Sequence, residues 1–234
     1  MRIAWLLLLL LAVPSAVRAQ AWLDQPGATG AQVAEVGTVR LTLPPGEWTR
    51  ASDQSRSYLN QVTPLLERTY IQTDGKRVVA VVYLRANGGE ASGHNTKGFR
   101  PAGSCFRTDV FLNESENVYP GQYNCLVVNH LMMTWDGDPP LVWQETIAKV
   151  APFGGVPRLM IGAIFEMASP DRFGFISVWI YFNPATAGFS GVANTAWRQS
   201  EWHRDNATPD HVAYLNKIAA WARAYRKVVA ASWN

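Results

Sequence analysis

The sequence predicts an α+β fold: a single antiparallel sheet built from hairpins, about three helices packed on it, and a C-terminal helix covering the sheet. Three observations carry this reading. Arg158 to Phe182 holds two apolar runs, rich in Ile, Val, Phe, Trp and Tyr, on either side of Ser169-Pro170-Asp171, a turn signal. In the second run Phe173, Phe175, Ser177, Trp179 and Tyr181 alternate with Gly174, Ile176, Val178, Ile180 and Phe182. Neither face is polar, which places that strand at a sheet centre. The remaining strand patterns come as hairpins instead of alternating with helices, and the chain ends in a strongly periodic helix.

Taken in order, residues 1–19 read as a signal peptide. Met1-Arg2 precedes an apolar run from Ile3 to Val13, and Val17-Arg18-Ala19 matches a small-x-small cleavage site. The run is shorter than the about 20 residues of a spanning helix, so the expected product is soluble, periplasmic or secreted, with no stable membrane insertion. Removing this segment leaves 19 basic and 18 acidic side chains. That balance carries no argument for nucleic acid or for an acidic substrate. Residues 20–35 are Gly-, Ala- and Gln-rich without periodicity and are expected to be loosely ordered. Residues 36–234 lack any linker or repeat and are expected to form one domain.

Val39 to Leu43 alternates as a half-buried strand, stopped by Pro44-Pro45-Gly46. Glu47 to Arg50 suggests a short strand around Trp48, and Ser52 to Thr63 carries a weak helical stripe. Leu65 to Leu84 reads as a hairpin around Asp74-Gly75. A two-residue turn there sets Ile71 opposite Val78 and Thr69 opposite Ala80. Residues 87–104, with five glycines and His94, form a long loop, either a binding loop or a plain surface excursion. Phe106 to Leu112 and Tyr123 to Met133 read as paired strands. Pro120-Gly121 is the stronger turn dipeptide, but a turn at Asn113–Asn117 sets Cys105 opposite Cys125 and is preferred for that reason.

Asp138-Pro139 is a helix start followed by Trp143, Ile147 and Val150 at helical spacing. Val192 to His203 reads as a further helix. Thr208-Pro209-Asp210 caps the last one, whose buried stripe is Val212, Leu215, Ile218, Ala222, Tyr225 and Val229.

The two cysteines of an exported chain are expected to form a Cys105–Cys125 disulfide joining neighbouring strands. The nucleophile, zinc and phosphate-loop motifs are absent from the sequence, so no metal or cofactor is expected. Glu166 is the odd acid in the central hairpin; it is either a buried charge needing a partner or, more simply, a carboxylate reaching water near the turn. His130 fits a hydrogen-bonded core histidine. His203 and Asp205 could supply a base and an orienting carboxylate.

Aromatics are the one compositional excess, and nine tryptophans remain after residue 19. On a helix, Trp197 and Trp202 would point about 140° apart, so one ring is expected either in a ligand groove beside the loop or packed beneath the C-terminal helix against Tyr214 or Trp221. The leading expectation is an exported binding or interaction domain closed by one disulfide, taking a small molecule, glycan or protein through Trp197, Trp202 and His94. The alternative is a hydrolase or lytic enzyme using Glu166, His203 and Asp205.

Overall fold

In the computed structural model the nine strands among the described residues sort into two sheets. The model describes residues 20–58, 63–87, 101–119, 122–135, 137–169, 174–189 and 196–232. The signal segment 1–19, His94, the Ser169–Asp171 turn beyond Ser169, and Val192 to Thr195 therefore lie outside the described residues. Strands β1 (Val33–Val36) and β2 (Val39–Thr42) form a two-stranded hairpin. The other seven are β3 (Thr49–Tyr58), β4 (Thr63–Thr73), β5 (Val78–Asn87), β6 (Leu112–Tyr119), β7 (Gln122–Met132), β8 (Leu159–Ser169) and β9 (Gly174–Phe182). They form one antiparallel sheet in the order β3-β4-β5-β9-β8-β7-β6. The hairpin of β8 and β9 takes the centre, as its doubly apolar pattern requires, and β9 is the middle strand.

Two α-helices are present among the described residues, not about three: α1 (Leu141–Val150) and α2 (Pro209–Ala231). Thr208 caps α2 through His211 N, with Pro209 in its first turn. Asp138 does not cap α1, which begins after Pro139-Pro140 instead. The helix expected over Val192–His203 reduces, in its described part, to a 3-10 turn at Trp197–Gln199. Ser52 to Tyr58 is strand, not helix, because β3 finds a partner in the exposed edge of β4. That ladder outweighs the weak helical stripe. Within the segment expected to be loosely ordered, Ala21–Asp24 forms a 3-10 turn that buries Trp22 and Leu23, and β1 follows.

The sheet separates two packing layers. On one face Leu84, Phe165, Val178 and Phe182 meet Leu215, Ile218, Trp221 and Tyr225 of α2, together with Trp22 and Leu41. On the other, Val81, Met160 and Tyr181 meet Val142, Trp143 and Val150 of α1. Here Thr69 Oγ1 bridges Ser52 Oγ at 2.7 Å and Thr146 Oγ1 at 2.6 Å, tying α1 over β3 and β4.

The β4–β5 register differs from the expected one. Thr73 pairs with Val78, a bulge follows at Gln72/Thr73, and Ile71 then pairs with Val81. The Asp74 carboxylate accepts from Lys76 N at 3.0 Å and Arg77 N at 2.9 Å, with Gly75 at φ +85°. This side-chain turn is centred one residue later than an Asp-Gly turn, which moves each partner by two positions, and the bulge adds a third. Slips of this kind change which side chains share a face.

The cysteines are joined, with a Cα–Cα distance of 5.9 Å, but not across neighbouring strands. Cys105 lies in a 3-10 turn, Gly103–Phe106, and residue 125 pairs with Ser115. The β6–β7 turn falls between Tyr119 and Gln122, at the stronger dipeptide. The disulfide pins the 3-10 turn over the sheet face, beside Val127 and Ile164. Both half-cystines are buried. Replacing both with serine should lower the unfolding free energy by about 3 kcal/mol, read from urea melts. An unchanged midpoint would show that the tether contributes nothing.

Candidate functional site

The sheet register assembles a polar row across the α1 face. Gln54 pairs with Glu67, Glu67 with Arg85, Arg85 with Ser177 and Ser177 with Glu166. Glu166 in turn pairs with Cys125. Paired residues on neighbouring strands share a face, so five polar side chains from five strands lie side by side. Helix α1 covers this face over β3 and β4, and the disulfide-tethered turn covers it over β7 and β8. Beside α1 lies a cavity of about 580 Å³, lined by Arg56, Glu67, Tyr83, Arg85, Trp135, Trp143, Trp179 and Tyr181.

Each charge on its floor has a counter-charge. Glu67 is buried and accepts from Arg56 Nε at 2.7 Å and from the Tyr83 hydroxyl. Burial, with Glu67 beside it, pushes the Tyr83 phenol well above its ordinary range, so the hydroxyl stays a donor. Glu166 is fully buried, which overturns the water-exposed reading. Its Oε1 accepts from Ser177 Oγ at 3.0 Å, Trp179 Nε1 at 3.1 Å and Arg85 Nη2 at 3.4 Å, and its Oε2 from Ala102 N. Four donors converge on one carboxylate, and their bonds fix the Trp179 ring. The Arg85 guanidinium lies 5.2 Å from the Phe175 ring centre. Its Nε–H is buried and has no acceptor among the described residues.

Aromatic rings form the walls. Trp143 touches Tyr83, Trp135 and Tyr181 at centroid distances of 5.8, 5.7 and 5.5 Å, and Trp179 touches Tyr83 and Tyr181 at 6.4 and 6.1 Å. Trp143 and Tyr181 are buried, whereas Trp135 and Trp179 are half-buried and turn surface toward the opening. Leu141 stands exposed at the rim.

The other singled-out residues gather elsewhere. His130 lies on the opposite sheet face from Glu166, since β7 runs without a bulge and residues 125 and 130 have opposite parity. Its ring stacks on Trp197 at 4.9 Å, and the His203 ring meets Trp197 edge-on at 4.7 Å. Burial lowers the His130 pKa to about 4. The neutral ring donates Nε2–H to the Trp197 carbonyl at 3.0 Å. His203 Nδ1 is 3.5 Å from Asp205 Oδ2, and Asp205 is exposed. Glu166, His203 and Asp205 therefore do not converge on one cleft. Trp197 is half-buried and shares a depression of about 490 Å³ with Gly103, Ser104 and Arg107. Trp202 is fully buried against Phe189, His211 and Tyr214. The 140° argument does not apply, because residues 197–199 are not α-helical.

Sequence reasoning missed Glu67, Arg85, Trp135, Trp143 and Trp179 as a set. The available signal was the pair of charges inside otherwise apolar strands, Arg85 and Glu166, which only the register brings together. Among the described residues no group of three or more His, Cys, Asp or Glu is placed to hold a metal ion. No helix among them is long and apolar enough to cross a membrane. Comparison with protein families, with curated proteins and with solved structures finds no match to this chain.

Proposed function

We propose that this chain is an exported binding domain whose ligand enters the cleft beside α1. One observation carries the reading: a concave, aromatic-walled opening whose charged floor is held rigid before any ligand arrives. Glu166 fixes Trp179, and Glu67 fixes Tyr83 and Arg56. A cleft of several hundred Å³ with apolar walls and a few convergent polar groups is the usual form of a small-molecule site. Preorganised side chains lose little freedom on binding. The disulfide and the expected signal peptide support export. The hydrolase reading draws no support, since Glu166 is bonded by Arg85, Ser177, Trp179 and Ala102, whereas His203 lies against His130, Trp197 and Asp205.

A single thiol at the rim tests this. Both native cysteines are oxidised, so Thr134→Cys can be labelled selectively with an environment-sensitive fluorophore. Titration with neutral oligosaccharides, palmitate, amino acids and aromatic heterocycles should give a saturable response to one class. Trp135→Ala should weaken that response about tenfold while leaving the thermal midpoint nearly unchanged. A response to none of them, or one abolished by Trp197→Ala and kept by Trp135→Ala, overturns the cleft assignment.

A further inference from the structure

Building on that cleft reading, we infer that the ligand is a neutral saccharide. The polar row decides between ligand classes. An anionic ligand needs a free cation, and a cationic one a free carboxylate. Here Arg56 is held by Glu67 and Arg85 by Glu166, so the floor offers neither. A hydrocarbon ligand would cover the half-open Arg56 and the partly open Arg85 with nothing to hydrogen-bond, which is costly for charged groups.

Hydroxyl groups suit what remains. Each donates and accepts at once, and the lining offers both roles: the Gln54 amide, the Glu67 carboxylate and the Arg85 guanidinium, set about 4.8 Å apart by the strand spacing. That interval is comparable to the span across a pyranose ring. Arg85 keeps 22% of its side chain open, and the open part of the guanidinium donates to a ring or hydroxyl oxygen. A hydroxyl can accept from it without displacing Glu166 from the other end of the guanidinium.

The walls supply the second half of the recognition. A sugar ring has one face of C–H bonds whose hydrogens carry slight positive charge, matching the negative face of an indole. Trp135 and Trp179 are the two half-buried indoles at the opening. Trp179 cannot turn away, because its N–H is committed to Glu166 and Ser177 at 3.1 and 2.9 Å.

The test uses the labelled Thr134→Cys protein with four neutral tetrasaccharide probes, of glucose, N-acetylglucosamine, mannose and galactose, beside a galacturonate tetrasaccharide and palmitate. At least one neutral probe should saturate the response, the galacturonate should bind about tenfold more weakly or not at all, and 0.5 M sodium chloride should leave the neutral affinity unchanged. Salt would weaken an ionic contact. Trp135→Ala and Arg85→Lys should each reduce the neutral affinity, the second by removing the guanidinium's open N–H donors while keeping the charge that faces Glu166. Saturation by palmitate or galacturonate alone overturns the saccharide assignment and leaves the cleft standing. Silence from every probe here and in the wider panel removes both.

Discussion

Replacing Glu166 with alanine should destabilise this protein by about 3–5 kcal/mol, among the largest losses available from one polar side chain. The substitution strands the Arg85 guanidinium, the Ser177 hydroxyl, the Trp179 indole N–H and the Ala102 amide around a hole. A buried donor left without an acceptor carries its full desolvation penalty. Arg85 keeps 22% of its side chain in contact with solvent, so water can reach part of the orphaned charge. That places the expected loss toward the lower end of the range. Urea unfolding with the disulfide intact provides the measurement. The double substitution Arg85→Met/Glu166→Leu should recover most of the loss, because it removes both charges and restores apolar volume. A loss below about 1 kcal/mol for Glu166→Ala would mean that the carboxylate is solvated and the floor is not preorganised. The saccharide inference would then lose its support as well.

The second large effect is expected at Trp221, on the opposite face. Its ring is fully buried, stacks on Tyr225 at 4.5 Å and meets Trp22 and Phe182 edge-on at 5.1 and 5.7 Å. Its indole N–H donates to the Ala28 carbonyl at 3.3 Å. One side chain thus joins α2, β9 and the N-terminal segment. Trp221→Ala should cost about 3–5 kcal/mol, measured by guanidinium unfolding. The cavity would open against Trp22, so limited proteolysis should cut first within residues 20–30. Equal protease resistance in the variant would show that the segment is held by other contacts, such as Tyr214 to Gln20 at 2.6 Å. The two substitutions lie in different layers, and their effects should add.

The sequence by itself determined what rests on local chemistry and on strong periodicity. The doubly apolar run from Gly174 to Phe182 required cover on both faces, and β9 is the central strand for that reason. Thr208 and Pro209 started α2 where short-range capping dictates, and residues Leu215, Ile218, Ala222, Tyr225 and Val229 went into the core at helical spacing. With only two cysteines, the identity of the disulfide was also settled.

Long-range pairing decided the rest. Polar β3 is a strand only because the edge of β4 is open to it, which no window of ten residues can reveal. Cys105 reaches Cys125 from a 3-10 turn lying over the sheet, so symmetry about a hairpin midpoint misplaced the β6–β7 turn. The cleft depends on a single displaced register. A two-residue Asp-Gly turn would have set Glu67 opposite Val82. The Asp74 side-chain turn and the bulge at Gln72/Thr73 set it opposite Arg85 instead. In a strand, side chains change face at every residue. A register change of odd length therefore decides whether two charges meet in one row or face opposite layers. That choice is made by the bulge and by the packing of α1 over β3 and β4.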